Sequence, residues 1–296
     1  MSVVFASHFK RVVGIFFYFL IAVFAILGSP AQAQTDARCY AGTSIFTLGQ
    51  AGWTGCDGMY IASGSDLNAA VTAGTFQIEF PASSGTFYTF GDSALNVFTG
   101  QVTDMSRLFQ GTAFNGDIGY WDTSNVTTME RMFSSASAFN QDIGSWDVSN
   151  VLTMQTMFRL SGSFNRDINN WNVSSVQNMR EMFRQAAAFK RNLDNWDATS
   201  VTSMYRMFYQ NSVFTASLDG WTISGGTDVT QMFRWGSSNP QIGGWNISGA
   251  VSMGRMFFEN TGFNRDISGW NVSGVTEMEN MFGFATALTK TSEIGA

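Results

Sequence analysis

Tryptophan returns at Trp121, Trp146, Trp171, Trp196, Trp221, Trp245 and Trp270, and a Met-Phe pair begins at Met132, Met157, Met182, Met207, Met232, Met256 and Met281. Both series step by 25 residues, with one step of 24. Such a recurrence restricts the chain to repeat architectures: a unit this short cannot enclose its own apolar side and must bury it against its neighbours.

The remaining positions of a unit are equally regular. Ile or Leu stands three residues before each Trp (Ile118, Ile143, Ile168, Leu193, Leu218, Ile242, Ile267), and Thr123, Val148, Val173, Ala198, Ile223, Ile247 and Val272 stand two after it. A Trp that shares a face with its i+2 partner predicts a short strand. Ser or Thr follows three residues after each Trp, the residue type of a helix N-cap. Val126, Met129, Met132 and Phe133 then fall at i, i+3, i+6 and i+7, which predicts a one-sided helix. A return loop follows, with Asn-x-Asp behind Phe114, Phe139, Phe164 and Phe263. The predicted fold class is an α/β repeat solenoid with one short parallel strand and one short helix per 25-residue unit, entered through a small β-rich N-terminal cap.

Phrases such as Phe139-Asn140-Gln141-Asp142-Ile143 and Trp146-Asp147-Val148-Ser149-Asn150-Val151 resemble the bacterial surface-protein repeat of the BspA-like leucine-rich-repeat family, over about residues 97–288. The resemblance implies a leucine-rich-repeat-like fold and a secreted or cell-surface protein used for attachment or protein binding. It brings no catalytic residue and no cofactor.

The chain divides into four parts. Residues 1–33 read as a signal peptide: Lys10 and Arg11 precede an apolar run from Val12 to Leu27, Gly28-Ser29-Pro30 breaks it, and Ala31-Gln32-Ala33 is a small-x-small cleavage site. An uncleaved membrane anchor is the alternative; after cleavage no stable membrane span is expected. Residues 34–95 form the cap, in which the alternation from Phe76 to Phe80 is the clearest strand signal. The cap holds the two cysteines, Cys39 and Cys56, which export to an oxidising compartment predicts to be bridged, with two buried thiols as the alternative. Residues 96–288 are one half repeat and seven units, and residues 289–296 a tail. The unit around Trp221 is irregular, with Gly225-Gly226 and Pro240, and a local bend is expected there.

Composition narrows the chemistry. Charged residues make up 13% of the chain, about half the usual ~25%, and the formal net charge of −6 argues against nucleic acid as partner. The single histidine, His8, lies in the predicted leader, which removes Ser-His-Asp and Cys-His mechanisms and His-ligated metals from the mature chain. No enzyme, metal or cofactor is expected.

Polar rows remain. Asp122, Asp147, Asn172 and Asp197 follow the Trp residues, Tyr120, Ser145, Asn170 and Asn195 precede them, and strand alternation turns both sets away from the Trp side. These eight residues are the candidate ligand-binding face, on the sheet, for a protein or polysaccharide at the cell surface. A Ca²⁺ between Asp122 and Asp147 is a further reading of the row, and a hydrogen-bond ladder that only solvates the sheet is the plain one. Arg107, Arg131, Arg206 and Arg255 read as a solvated row. The second functional class is a structural envelope or matrix protein, self-associating through the C-terminal edge near Trp270.

Overall fold

A stacked unit must satisfy its backbone both within itself and against its neighbours, and alternate residues divide that task here. The computed structural model describes residues 60–79, 83, 85–91, 97–223 and 225–289. In it the N–H groups of Met129, Arg131, Phe133 and Ser135 donate to the carbonyls of Thr153, Gln155, Met157 and Arg159, one unit on, at 2.7–3.1 Å. The intervening N–H groups of Met132, Ser134 and Ala136 close turns on Met129, Arg131 and Phe133 at 3.0–3.2 Å. The same scheme runs from Met105 to Glu259. A helix would spend nearly all its N–H groups internally and leave none for the neighbour.

The one-helix-per-unit expectation is therefore corrected. The α-helix found among the described residues is α1 (Gly64–Thr72), in the cap, and the segments after each Trp are chains of turns. Three-residue turns return side chains to one side at i, i+3 and i+6, so Met129, Met132 and Phe133 are buried as they would be on a helix. The expected strand at each Trp is corrected as well. Trp146 N–H closes a turn on Ile143 at 3.2 Å, and Val151 N–H one on Val148 at 3.0 Å. The long row of parallel bridges lies in the other segment and links Asp104, Thr128, Thr153, Asn178, Ser203 and Asp228 in sequence; beside the Trp residues a single bridge, Thr222 with Asn246, is found among the described residues.

Turns that close on a left-handed third residue need positive φ, a region non-glycine residues rarely enter. Two positions of every unit do so: Arg131 and Ser135 at 58° and 60°, Thr156 and Leu160 at 55° and 60°, and their counterparts from Arg107 to Phe284. Thr156 is the most strained of these by residue type, because it is β-branched. Thr156→Asn is expected to stabilise the protein by about 1 kcal/mol, raising Tm by about 2–4 °C, since Asn tolerates this conformation. Thermal melts of the two proteins check this; a lower Tm would show that the Thr156 side chain contributes more than its backbone costs.

Inside the stack like residues sit on like. Trp146, Trp171, Trp196, Trp221, Trp245 and Trp270 are stacked with centroids 6.0–6.5 Å apart, and each indole N–H donates to the Ile or Leu carbonyl of the preceding unit, as Trp171 does to Ile143 at 3.0 Å. Met and Phe columns fill the rest of the core.

The cap is less purely β than expected. Besides β1 (Tyr60–Ile61), β2 (Gln77–Glu79) and β3 (Phe87–Thr89), with β4 (Val97–Phe98) just past its expected end, it holds α1, which Ser63 and Asp66 start with a reciprocal capping box and which buries Leu67 and Ala70. β1 pairs with β4 in parallel, and β2 with β3 antiparallel. Phe90 meets the Trp121 ring edge-on at 5.6 Å, so the cap covers the first unit's core. The predicted leader, the Cys39–Cys56 bridge and the end of the tail lie outside the described residues. No helix among those residues is long and apolar enough to cross a membrane.

The irregular unit is where regular strands form between repeats: β5 (Thr227–Asp228) pairs in parallel with β6 (Ala250–Ser252), with a register shift between Thr227 and Asp228. The missing residue falls in the return loop, between Phe233 and Asn239. There Ser238 takes the core place held elsewhere by Phe139, Phe164, Phe189, Phe214 and Phe263. Fully buried Asn260 compensates, donating to the carbonyls of Phe233 and Ser238 at 3.1 and 3.0 Å and to Ser238 Oγ at 2.9 Å.

Candidate binding surfaces

The rows beside the Trp residues lie on turns, and their polar atoms are largely engaged in making those turns. Asp147 Oδ1 accepts Ser149 N–H at 2.9 Å, Asn172 Oδ1 accepts the N–H and hydroxyl of Ser174 at 3.3 and 2.8 Å, and Asp197 Oδ1 accepts those of Thr199 at 3.1 and 2.6 Å. Asp122 makes the same bonds to Ser124 and is buried. These are Asx turns, in which a short side chain substitutes for a backbone acceptor.

The residues ahead of the Trp behave similarly. Tyr120 donates its hydroxyl to Phe90 at 2.7 Å and so ties the first unit to the cap. Ser145 donates to Gly119 at 2.9 Å, and Asn195 N–H reaches Asn169 Oδ1 at 3.1 Å. Asn170, Asn172, Asp147 and Asp197 are exposed. The structure thus aligns the predicted residues but puts them on a turn surface rather than a sheet, and Tyr120 and Asp122 are taken up by the fold. Replacing Asp147, Asn172 and Asp197 together by Ala is expected to cost about 1.5–3 kcal/mol, since each change removes a local cap worth about 0.5–1 kcal/mol. Denaturant titration checks this; an unchanged midpoint would show that the bonds add nothing over water.

Return-loop residues stitch units together. Asn115, Asn140, Asn165, Asn239 and Asn264 each accept, through Oδ1, a backbone N–H from the next unit at 2.8–3.2 Å. Asp117, Asp142, Asp167 and Asp266 close Asx turns at 2.9–3.0 Å.

The bridge segment carries a surface that the residue-by-residue reading missed. At the position after Met-Phe, Arg159, Arg184, Tyr209, Arg234 and Phe258 follow one another in successive units. The Arg184 guanidinium lies 5.1 Å from the centroid of Tyr209, and that of Arg234 lies 4.9 Å from Phe258. Beside them Arg180 lies over Tyr205 at 4.5 Å, and Arg206 over both tyrosines at 4.8 and 5.1 Å. Aligning the units would have exposed this column.

No group of three or more His, Cys, Asp or Glu poised to hold a metal ion occurs among the described residues. In the cap, burial, reinforced by nearby Asp66, pushes Tyr60 up to about 12, and burial raises Tyr88.

No curated protein and no solved structure matches the chain. A family model does, three times in succession, at residues 87–194, 153–241 and 236–294, which together run over well more than half of the 296 residues. The chain is a repeat protein and belongs to the family described as Mycoplasma protein of unknown function, DUF285.

Proposed function

We propose that this chain is an exported, surface-exposed repeat protein of the BspA-like leucine-rich-repeat kind, wound as a solenoid, that mediates adhesion by binding a protein or polysaccharide along its length. The observation that carries this reading is the constancy of its step. Phe109, Phe133, Phe158, Phe183, Phe208, Phe233, Phe257 and Phe282 succeed one another at 5.4–5.7 Å. The surface positions recur once per unit with them. A long ligand then gains one set of contacts per unit without further ordering of the protein. The leader-like residues 1–33 and the scarcity of charge support export.

The test is capture of purified protein on an array of surface polysaccharides and extracellular matrix proteins, with light scattering of the protein alone. Saturable capture of a monomer supports the reading; absence of capture across the array overturns it. The structural alternative draws on the last described unit, where Val272, Val275, Met278 and Phe282 are only partly buried and Phe284 is 72% exposed. Polymers that grow with concentration would favour it.

A further inference from the structure

We propose that the face bearing Arg159, Arg184, Tyr209, Arg234 and Trp235 binds an anionic polysaccharide of the polyuronate class. This rests on the binding role proposed above and assigns it a surface and a ligand chemistry. Charge is the first argument. Glu181, which is 8% exposed, is the shared partner of three guanidinium groups, Arg184 at 2.9 Å, Arg159 at 3.6 Å and Arg180 at 3.9 Å. One carboxylate cannot neutralise three cations, so positive charge is left over. Arg206, in the next unit, bonds neutral Gln231 at 2.9 Å instead of a carboxylate, and Arg234 is paired with Glu259 at 3.7 Å, so the five guanidinium groups of Arg159, Arg180, Arg184, Arg206 and Arg234 are matched by two carboxylates. The Nε atoms of Arg159, Arg184 and Arg234 are buried without a hydrogen-bond acceptor, so a ligand meets these side chains through their terminal nitrogens.

The surplus is local. The chain as a whole is at −6, and exposed carboxylates such as Asp142, Asp147, Asp167, Asp197 and Asp219 sit on the Trp-side turns and return loops. An anion is therefore steered to this face and away from the others.

Shape is the second argument. The guanidinium groups are held over rings, Arg184 over Tyr209 and Arg234 over Trp235 and Phe258, at 4.9–5.6 Å, which fixes their planes for bidentate recognition of carboxylates. Trp235, 44% exposed, and Leu160, 37% exposed, stand in the adjoining row and offer apolar surface to the C–H face of a sugar ring.

Spacing is the third. Phe158, Phe183, Phe208 and Phe233, in the units that carry these residues, succeed one another at 5.5–5.7 Å, with a cation in three of the four units and Tyr209 in the other. A uronate chain presents one carboxylate per ring at a comparable interval. A nucleic acid strand is denser in charge, with a phosphate about every 3.4 Å along each strand of a duplex.

The full-length protein is titrated with polygalacturonate, its fully methyl-esterified form and oligo-dT. Binding to polygalacturonate that weakens with added salt, with little binding to the ester, is expected. Arg184→Gln with Arg234→Gln should weaken it about tenfold or more. Glu181→Gln, which enlarges the positive surplus, should tighten it severalfold, a change that a purely structural role for the cluster would not produce; this variant decides the matter if the double Arg variant does not fold. Equal binding of the ester, tighter binding of oligo-dT, or indifference to Glu181→Gln overturns the proposal. Absence of polygalacturonate binding alongside saturable capture of some other surface molecule overturns it while leaving the general binding role standing; failure of every capture removes both.

Discussion

Trp171→Ala is expected to lower stability by about 4–8 kcal/mol, from the cavity left by a large buried ring, about 3–5 kcal/mol, and from a buried carbonyl deprived of its donor, about 1–3 kcal/mol. Trp171 is 2% exposed, lies between Trp146 and Trp196 at 6.5 and 6.4 Å, and donates its indole N–H to Ile143 at 3.0 Å. The damage should not stay local: in a stack each unit holds its neighbours, so a weak middle unit divides the array. Chemical denaturation of Trp171→Ala should show two transitions where the parent shows one. Trp171→Phe keeps a ring in the column and loses the indole donor, and should fall between the two. An unchanged midpoint for Trp171→Ala would contradict the stacked core.

Asn260→Ala, beside the irregular unit, is expected to cost about 3–5 kcal/mol, because it unsatisfies several buried groups at once. Asn260 donates to Phe233, to the Ser238 carbonyl and to Ser238 Oγ, and its Oδ1 accepts the N–H groups of Gly262 and Phe263 at 3.0 and 3.1 Å. Equivalent positions elsewhere hold Ala136, Ser161, Ala186 and the fully buried Asn211, which donates to the Phe189 carbonyl at 3.2 Å in a unit that keeps Phe214; what sets Asn260 apart is its additional pair of bonds to Ser238. Asn260→Asp keeps the acceptor and loses the donor, and should cost less than Ala only at a pH where its carboxyl stays protonated. Hydrogen exchange confined to residues 233–263 would locate the effect; protection unaltered in that segment would show that water replaces the amide without loss.

The buried columns were legible from periodicity, because Trp146, Met157 and Phe158 and their counterparts can only recur so regularly if they meet in a core. The backbone joining them was not. An i, i+3, i+6 pattern fits a helix and a chain of three-residue turns equally well. The feature that separates the two, positive φ at Arg131 and Ser135, carries a glycine signature only at Gly111. Helix α1 was readable from Ser63 and Asp66 but fell in a region taken as β-rich. At the surface, Asp147, Asn172 and Asp197 were aligned correctly, yet their hydroxyl partners two residues on, which make them turn formers, were read as N-caps. The Arg and aromatic column was hidden because Arg159, Arg184 and Arg234 alternate with Tyr209 and Phe258, so that no single residue type recurs.

The one-way donation between units has an electrical consequence. At the interface of residues 129–135 with 153–159 four backbone N–H groups point forward, and one, from Leu152 to Thr127, points back. Peptide dipoles that add in this way make the array polar along its axis, as in a helix but summed across units. Its C-terminal pole is the positive one, and Glu277 and Glu279 sit in the last units on that side. The amide hydrogens of this segment point toward the C-terminal end of the array and its carbonyl oxygens toward the cap, so the two directions along the stack are chemically unlike.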